Sequence, residues 1–174
     1  MSPLMTSRST RLSFCAFLLT LTAIACTKTP QQAIESSTAS VTDGFRSRGG
    51  VALSDQHVVA DLELIETSES TSVRVGLEPP KEGRIITREA GLGLAVIYVD
   101  SGVDGSALGD SGALEVGATV HAGVFGAAGI SMKSGQISGV RFHKKRWYFE
   151  TDVTLPEAGR GAGVFSDSGE LIGV

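Results

Sequence analysis

The sequence predicts an all-β fold, and three observations carry that expectation. From Gly44 onward the chain is a series of short apolar runs divided by Gly, Asp and Ser. Close spacing with turn residues between runs is the pattern of a sandwich or barrel. Several runs alternate with period two, as at Val73, Val75 and Leu77, separated by Arg74 and Gly76. No long stretch shows the 3.6-residue period of an amphipathic helix.

The opening residues stand apart from this pattern. Arg8 and Arg11 form a positive start, followed by a largely apolar stretch over 12–24 containing Phe14, Phe17, Leu18, Leu19 and Leu21. A spanning helix needs about 20 apolar residues, whereas a secretory leader uses roughly 7–15. The stretch ends in Ala23-Ile24-Ala25-Cys26, which resembles the lipobox of bacterial lipoproteins, with Ala where Leu is usual. Residues 1–25 are therefore expected to be a signal peptide and Cys26 a lipidated membrane anchor. By the same resemblance, Thr27 in place of Asp favours the outer membrane. Residues 26–43, rich in Thr, Ser, Gln and Ala, read as a flexible tether, because such a composition buries too little surface to offset the entropy of ordering.

Loss of the leader removes Arg8 and Arg11 and takes the formal charge from −4 to −6. That charge argues against non-specific nucleic-acid binding. Cys15 leaves with the leader, so Cys26 is the only cysteine remaining and no intrachain disulfide is expected. His57, His121 and His143 lie far apart with no ligand spacing, so neither a metal nor a cofactor is expected.

Strands are predicted, in order, over 50–53, 58–65, 71–75, 83–88, 94–99, 119–125, 131–142, 147–151, 161–165 and 171–174. Pro79-Pro80 and residues 100–111 read as loops, since Pro removes a ladder donor and Gly, Asp and Ser favour turns.

Four segments in this order resemble trypsin-like serine proteases of the bacterial Htr/Deg type. Leu108-Gly109-Asp110-Ser111-Gly112-Ala113-Leu114-Glu115-Val116-Gly117 is similar to the family's L-G-D-S-x-x-L-x-V-G between its barrels. Leu94-Ala95-Val96-Ile97-Tyr98-Val99-Asp100 is similar to D-L-A-V-L-K-V-D, Gly49-Gly50-Val51-Ala52-Leu53-Ser54 to G-S-G-V-V-I-S, and Gly169-Glu170-Leu171-Ile172-Gly173-Val174 to G-E-V-I-G-I. The resemblance implies a chymotrypsin-like double β-barrel, with the first barrel in 44–105 and a second, incomplete barrel in 106–174. It also implies a further strand after 171–174, whose absence would leave an edge able to take an extended peptide or protein.

The resemblance places the catalytic histidine at Glu63, the aspartate at Gly93 and the serine at Arg160, or at Gly159 if counted forward from Pro156. None of these residues can replace its counterpart. A carboxylate with a pKa near 4 is a poor base toward a hydroxyl, and neither Gly nor Arg supplies a carboxylate or a nucleophilic oxygen. The glycine-rich turn could still bind an anion or a carbonyl. His57-Val58-Val59 spells the family's H-V-V but comes only seven residues after Gly50, and it reads as a turn. Gly109-Asp110-Ser111-Gly112 and Ser166-Asp167-Ser168-Gly169 read as structural turns rather than nucleophile loops.

The basic run Arg141, His143, Lys144, Lys145 and Arg146, followed by Trp147 and Tyr148, is expected at a hairpin tip. It reads as a solvated tip, with contact to anionic headgroups as the sharper alternative. The expected function is a lipid-anchored envelope protein whose trypsin-like domain binds or scaffolds without cleaving. The alternatives are an active endopeptidase using other residues, or a truncated paralogue with no function.

Overall fold

A computed structural model of the protein describes residues 28–100, 102–143 and 145–174. The leader and Cys26 lie outside the described residues. Eleven strands are described. Six of them close a barrel in the order β1-β2-β3-β6-β5-β4: β1 Thr38–Thr42, β2 Ser47–Ala52, β3 His57–Asp61, β4 Ser70–Val75, β5 Lys81–Glu89 and β6 Leu94–Val99. The other five form a curled, open sheet in the order β11-β10-β7-β8-β9: β7 Thr119–Gly126, β8 Gly129–His143, β9 Arg146–Thr151, β10 Val164–Ser166 and β11 Leu171–Gly173. The expected double-barrel architecture is therefore present, with a second barrel that does not close among the described residues.

Alternation builds the first barrel. In β6, Ala95, Ile97 and Val99 point inward and are almost wholly buried, while Leu94, Val96 and Tyr98 are half-buried. Val41, Val58 and Val73 join them from neighbouring strands. Each fully buried Val, Ile or Leu contributes about 1.5–3 kcal/mol relative to exposure. A second apolar cluster lies between the sheets, where Val51 and Val59 of the barrel meet Phe165 and Leu171 of the open sheet. A third, around Val120, Ile137 and Ile172, fills the curl of that sheet.

Two elements differ from the sequence reading. The segment expected to be a tether is folded from Pro30 onward: α1 spans Pro30–Ser37 and β1 follows directly. Thr29 caps α1 in a reciprocal box with Gln32, and Pro30 opens it; both devices favour a helix start. The single large apolar residue of the segment, Ile34, is 1% exposed and fills the cluster between the sheets. Ala39 and Val41 then alternate inward as β1 pairs with both β2 and β4 and closes the barrel. A polar composition hid a segment from which Ile34, Ala39 and Val41 reach the core.

The second difference is at 58–65, where the strand ends at Asp61. The Asp61 carboxylate accepts the Glu63 amide (2.9 Å) and starts α2, the single turn Leu62–Ile65. Leu62, Leu64 and Ile65 all enter the barrel core, so their apolar run fits a turn of helix as well as a strand.

Candidate functional site

The junction of the two sheets holds a cleft of about 470 Å³, lined by Asp61, Glu63 and Glu66 from the α2 region, by Leu92 and Gly93 from the β5–β6 turn, and by Arg160 and Gly161. Three positions far apart in sequence, 63, 93 and 160, therefore share one wall-to-wall site. A neighbouring trough of about 610 Å³ shares Leu92, Leu94 and Val174 with the cleft and continues over Ile137, Trp147, Phe149 and Ile172.

Glycine brings Arg160 into the cleft. The loop after the 3-10 turn Glu157–Gly159 presses against β2 and β3 so closely that side chains are excluded. A Cβ on Gly161 would stand 2.5 Å from the Asp61 amide nitrogen and 2.8 Å from the Gly49 carbonyl oxygen, and Gly161 also has φ +81°. Both conditions call for glycine. On the other side of the turn, buried Arg48 of β2 donates through Nη2 to Glu157 Oε1 (2.7 Å). Its Nε is buried and finds no partner among the described residues.

So placed, the Arg160 guanidinium spans the cleft. Its Nη1 lies 2.7 Å from Glu63 Oε2 and its Nε 3.2 Å from Asp61 Oδ2. Asp61 is buried, whereas Arg160 and Glu63 are each about half exposed. Water screens the outer pair, which holds it to about 1 kcal/mol or less. Asp61 was not singled out from the sequence. The signal available was an Asp directly before an apolar run, with Glu two residues on, which marks a helix start.

Gly93 forms the opposite wall. Its carbonyl accepts the Leu62 amide (2.8 Å) and its φ is +70°, with open space where a Cβ would project. The residues lining the cleft carry neither hydroxyl, thiol nor imidazole. In the glycine-rich turn, three backbone amides are taken up by the turn's own carbonyls. Gly159 N–H donates to Pro156 O (2.8 Å), Arg160 N–H to Glu157 O (3.2 Å) and Ala162 N–H to Gly159 O (3.0 Å). Gly159 itself is buried in the turn, so of the two residues 159 and 160 it is Arg160 that reaches the cleft.

The other candidates fall elsewhere. His57 starts β3 at the end opposite Asp61, holds Ser54 Oγ through Nδ1 (2.9 Å) and packs edge-on against Tyr98. Asp100 accepts from the Tyr98 hydroxyl (3.2 Å), at the far end of β6 from Gly93; the Asp100 carboxylate raises the Tyr98 pKa above its ordinary value. Asp110 caps the 3-10 turn Ser111–Ala113 through the Gly112 amide. Residues 166–169 form the β10–β11 turn, closed by Gly169 N–H to Ser166 O. On the outer side of β11, Leu171 donates to Ala107 O and accepts from Gly109 N–H, so the edge expected to be free is partly taken by the segment joining the sheets.

One Ser–His–Asp chain exists that the sequence did not suggest. His121 holds Ser134 Oγ on Nδ1 (2.8 Å) and Asp167 Oδ1 on Nε2 (2.9 Å). His121 and Ser134 are cross-strand partners, and the contact ties the β10–β11 turn to β7 and β8. Ser134 and Asp167 face solvent, and neither lines the inter-sheet cleft. Among the described residues no three His, Cys, Asp or Glu side chains group as a metal site.

A closed six-stranded barrel, a second curled sheet and a cleft between a helical turn and a glycine loop define a chymotrypsin-like double-barrel domain. The chain belongs to the trypsin-like peptidase domain family, whose family model matches residues 42–174. Among solved structures it is similar to Deg5, with a TM-score of 0.72 and 20% identity over 83% of this chain and 81% of that one. It is likewise similar to the inactive form of the Rv3671c protease, with a TM-score of 0.73 and 15% identity over 83% and 79%. At these identities the likeness speaks for the fold. No curated protein matches the chain.

Proposed function

We propose that this is a trypsin-like domain that has lost hydrolysis and serves as a binding or scaffold module, held at the cell envelope by a lipid on Cys26. The observation that carries the loss of hydrolysis is the Arg160 bridge. At the positions the resemblance assigns to serine and histidine, a guanidinium and a carboxylate neutralise each other 2.7 Å apart. An arginine cannot attack a carbonyl, and the Glu63 carboxylate faces the Arg160 guanidinium rather than a hydroxyl.

A binding role is supported by the continuity of that cleft with the apolar trough over Ile137, Phe149 and Ile172. A mostly apolar groove with a few polar groups at one end suits a segment of another polypeptide. The lipid anchor rests on the charged start, the short apolar core and the Ala25-Cys26 junction. It is tested by detergent-phase partitioning and intact mass. The wild type enters the detergent phase carrying a lipid mass on an N-terminal Cys26, and Cys26→Ser does not; an unmodified Cys26 removes the anchor. The loss of hydrolysis is tested by casein turnover, which the full chain does not support; turnover abolished by one Ser substitution in this chain removes that reading.

A further inference from the structure

The β8–β9 hairpin does more than complete the open sheet. Pairing between β7 and β8 stops at Thr119↔Gln136, whereas β8 continues to His143 and pairs there only with β9. Residues 139–150 therefore project as a two-stranded ribbon. Such a ribbon is marginal alone in water, and this one has two unlike faces. Register puts Phe142 opposite Trp147 and Val140 opposite Phe149 on one face, with Arg141 opposite Tyr148 and His143 opposite Arg146 on the other. Phe142 and Trp147 stack 4.9 Å apart, yet remain 60% and 48% exposed.

Charge is concentrated on the same ribbon. Residues 139–150 hold Arg141, Lys144, Lys145 and Arg146 against the single acid Glu150, in a chain whose formal charge is −4. Arg141 is paired with Glu150, and no ion pair takes up Lys145 or Arg146 among the described residues. Lys145 has φ 64°, the only non-glycine at positive φ among the described residues. Glycine or asparagine would sit there with less strain, so the turn keeps a cation where the backbone favours another residue.

We infer that this ribbon docks on an anionic phospholipid surface. Exposed Trp, Tyr and Phe beside Lys and Arg suit the headgroup level of a bilayer, where aromatic rings are half wet and half apolar. Two strands lie about 5 Å apart, so the apolar face can settle on the acyl boundary while Lys and Arg stems from the turn and the opposite face reach round to phosphates. The choice of a bilayer over an acidic protein rests in part on the proposed Cys26 anchor, which would hold the domain within reach of lipid.

Trp147 is the only tryptophan in the chain, which gives the test a site-specific signal. The full chain is placed in vesicles of brominated phosphatidylcholine, with or without phosphatidylglycerol, and its emission is measured alongside the intact mass of Cys26. The inference requires quenching of Trp147 with phosphatidylglycerol and its loss in neutral vesicles. In the variant Lys145→Gln/Arg146→Gln, checked for an unchanged melting curve, affinity for the anionic surface falls roughly 25-fold, about fivefold per charge, and quenching is lost. An unmodified Cys26 with a quenched Trp147 supports the ribbon and removes the anchor. A lipidated Cys26 with Trp147 unquenched, or quenched equally in both vesicles, overturns the ribbon. So does a Trp147 that responds to polyglutamate and not to vesicles.

Discussion

Arg160 and Glu63 meet at 2.7 Å across the junction of the two sheets, one carried by a glycine loop and the other by a single helical turn. Behind them, Asp61 caps that turn with one carboxylate oxygen and receives Arg160 on the other. Arg160 is thus a strut between the barrels. Replacing Glu63 by His, Gly93 by Asp and Arg160 by Ser is expected to leave the domain inactive. Gly93 has φ +70° and would project a side chain into open space, whereas a working triad must hold its geometry within about 0.5 Å. Peptidase assay of the triple variant checks this; turnover above the wild type contradicts it.

Removing the strut is expected to cost stability, chiefly through buried Asp61, and to change its salt dependence. Arg160→Ala should lose roughly 1–3 kcal/mol, because the screened Glu63 pair contributes about 1 kcal/mol or less while the buried Asp61 carboxylate loses its guanidinium. Urea melts at low and high salt measure this, and the wild type should lose more stability than Arg160→Ala as salt rises.

Gly161→Ala is expected to be more damaging. The added methyl meets the backbone nitrogen of Asp61 at 2.5 Å, in a backbone at φ +81°. A left-handed L-residue costs about 1–2 kcal/mol, and overpacking adds roughly 1–3 kcal/mol. Denaturant midpoints should fall accordingly, and a neutral result would mean that the loop sits further from β3.

The Arg48–Glu157 pair should respond asymmetrically. Glu157→Ala leaves a buried guanidinium without its carboxylate, whereas Arg48→Met fills the same space with apolar atoms and leaves Glu157, mostly exposed, to water. Cutting one partner of a buried pair is costly, while replacing the buried ion by an apolar side chain is often close to neutral. The first variant should be less stable than the second by roughly 1–3 kcal/mol. Equal losses would place the value of the pair in the contact itself.

Acid should loosen the β1–β2 turn late. Asp43 accepts the backbone amides of Arg46 and Phe45, which hold its carboxyl below the ordinary 3.8. A depressed folded pKa contributes stability present above the unfolded value and lost as pH falls through the folded one. The amide shifts of Phe45 and Arg46 should therefore stay constant down to about pH 4 and move only below it. Movement above pH 5 would contradict the assignment.

Legibility in the sequence followed burial. Strands that alternate one buried and one half-buried residue were readable, and 94–99 coincides with β6 Leu94–Val99. So were the glycine turns, because φ > 0 leaves a residue-type mark. The segment Thr29–Thr42 was not readable, since its contribution rests on Ile34, Ala39 and Val41 inserting singly among polar neighbours, and a window average cannot register three isolated contacts. At the site, motif spacing brought out Glu63, Gly93 and Arg160, which the fold gathers into one cleft. Asp61 and Arg48 were missed because their roles depend on partners far along the chain, Arg160 and Glu157.

The central claim, that no serine of this domain is an activated nucleophile, is tested most directly by a serine-directed fluorophosphonate. The folded full chain is incubated with the probe and its intact mass measured, with peptide mapping of any adduct. The account predicts no adduct beyond that of the heat-denatured chain. An adduct that forms only on the folded chain and disappears on replacing one serine, Ser134 beside His121 included, would contradict it.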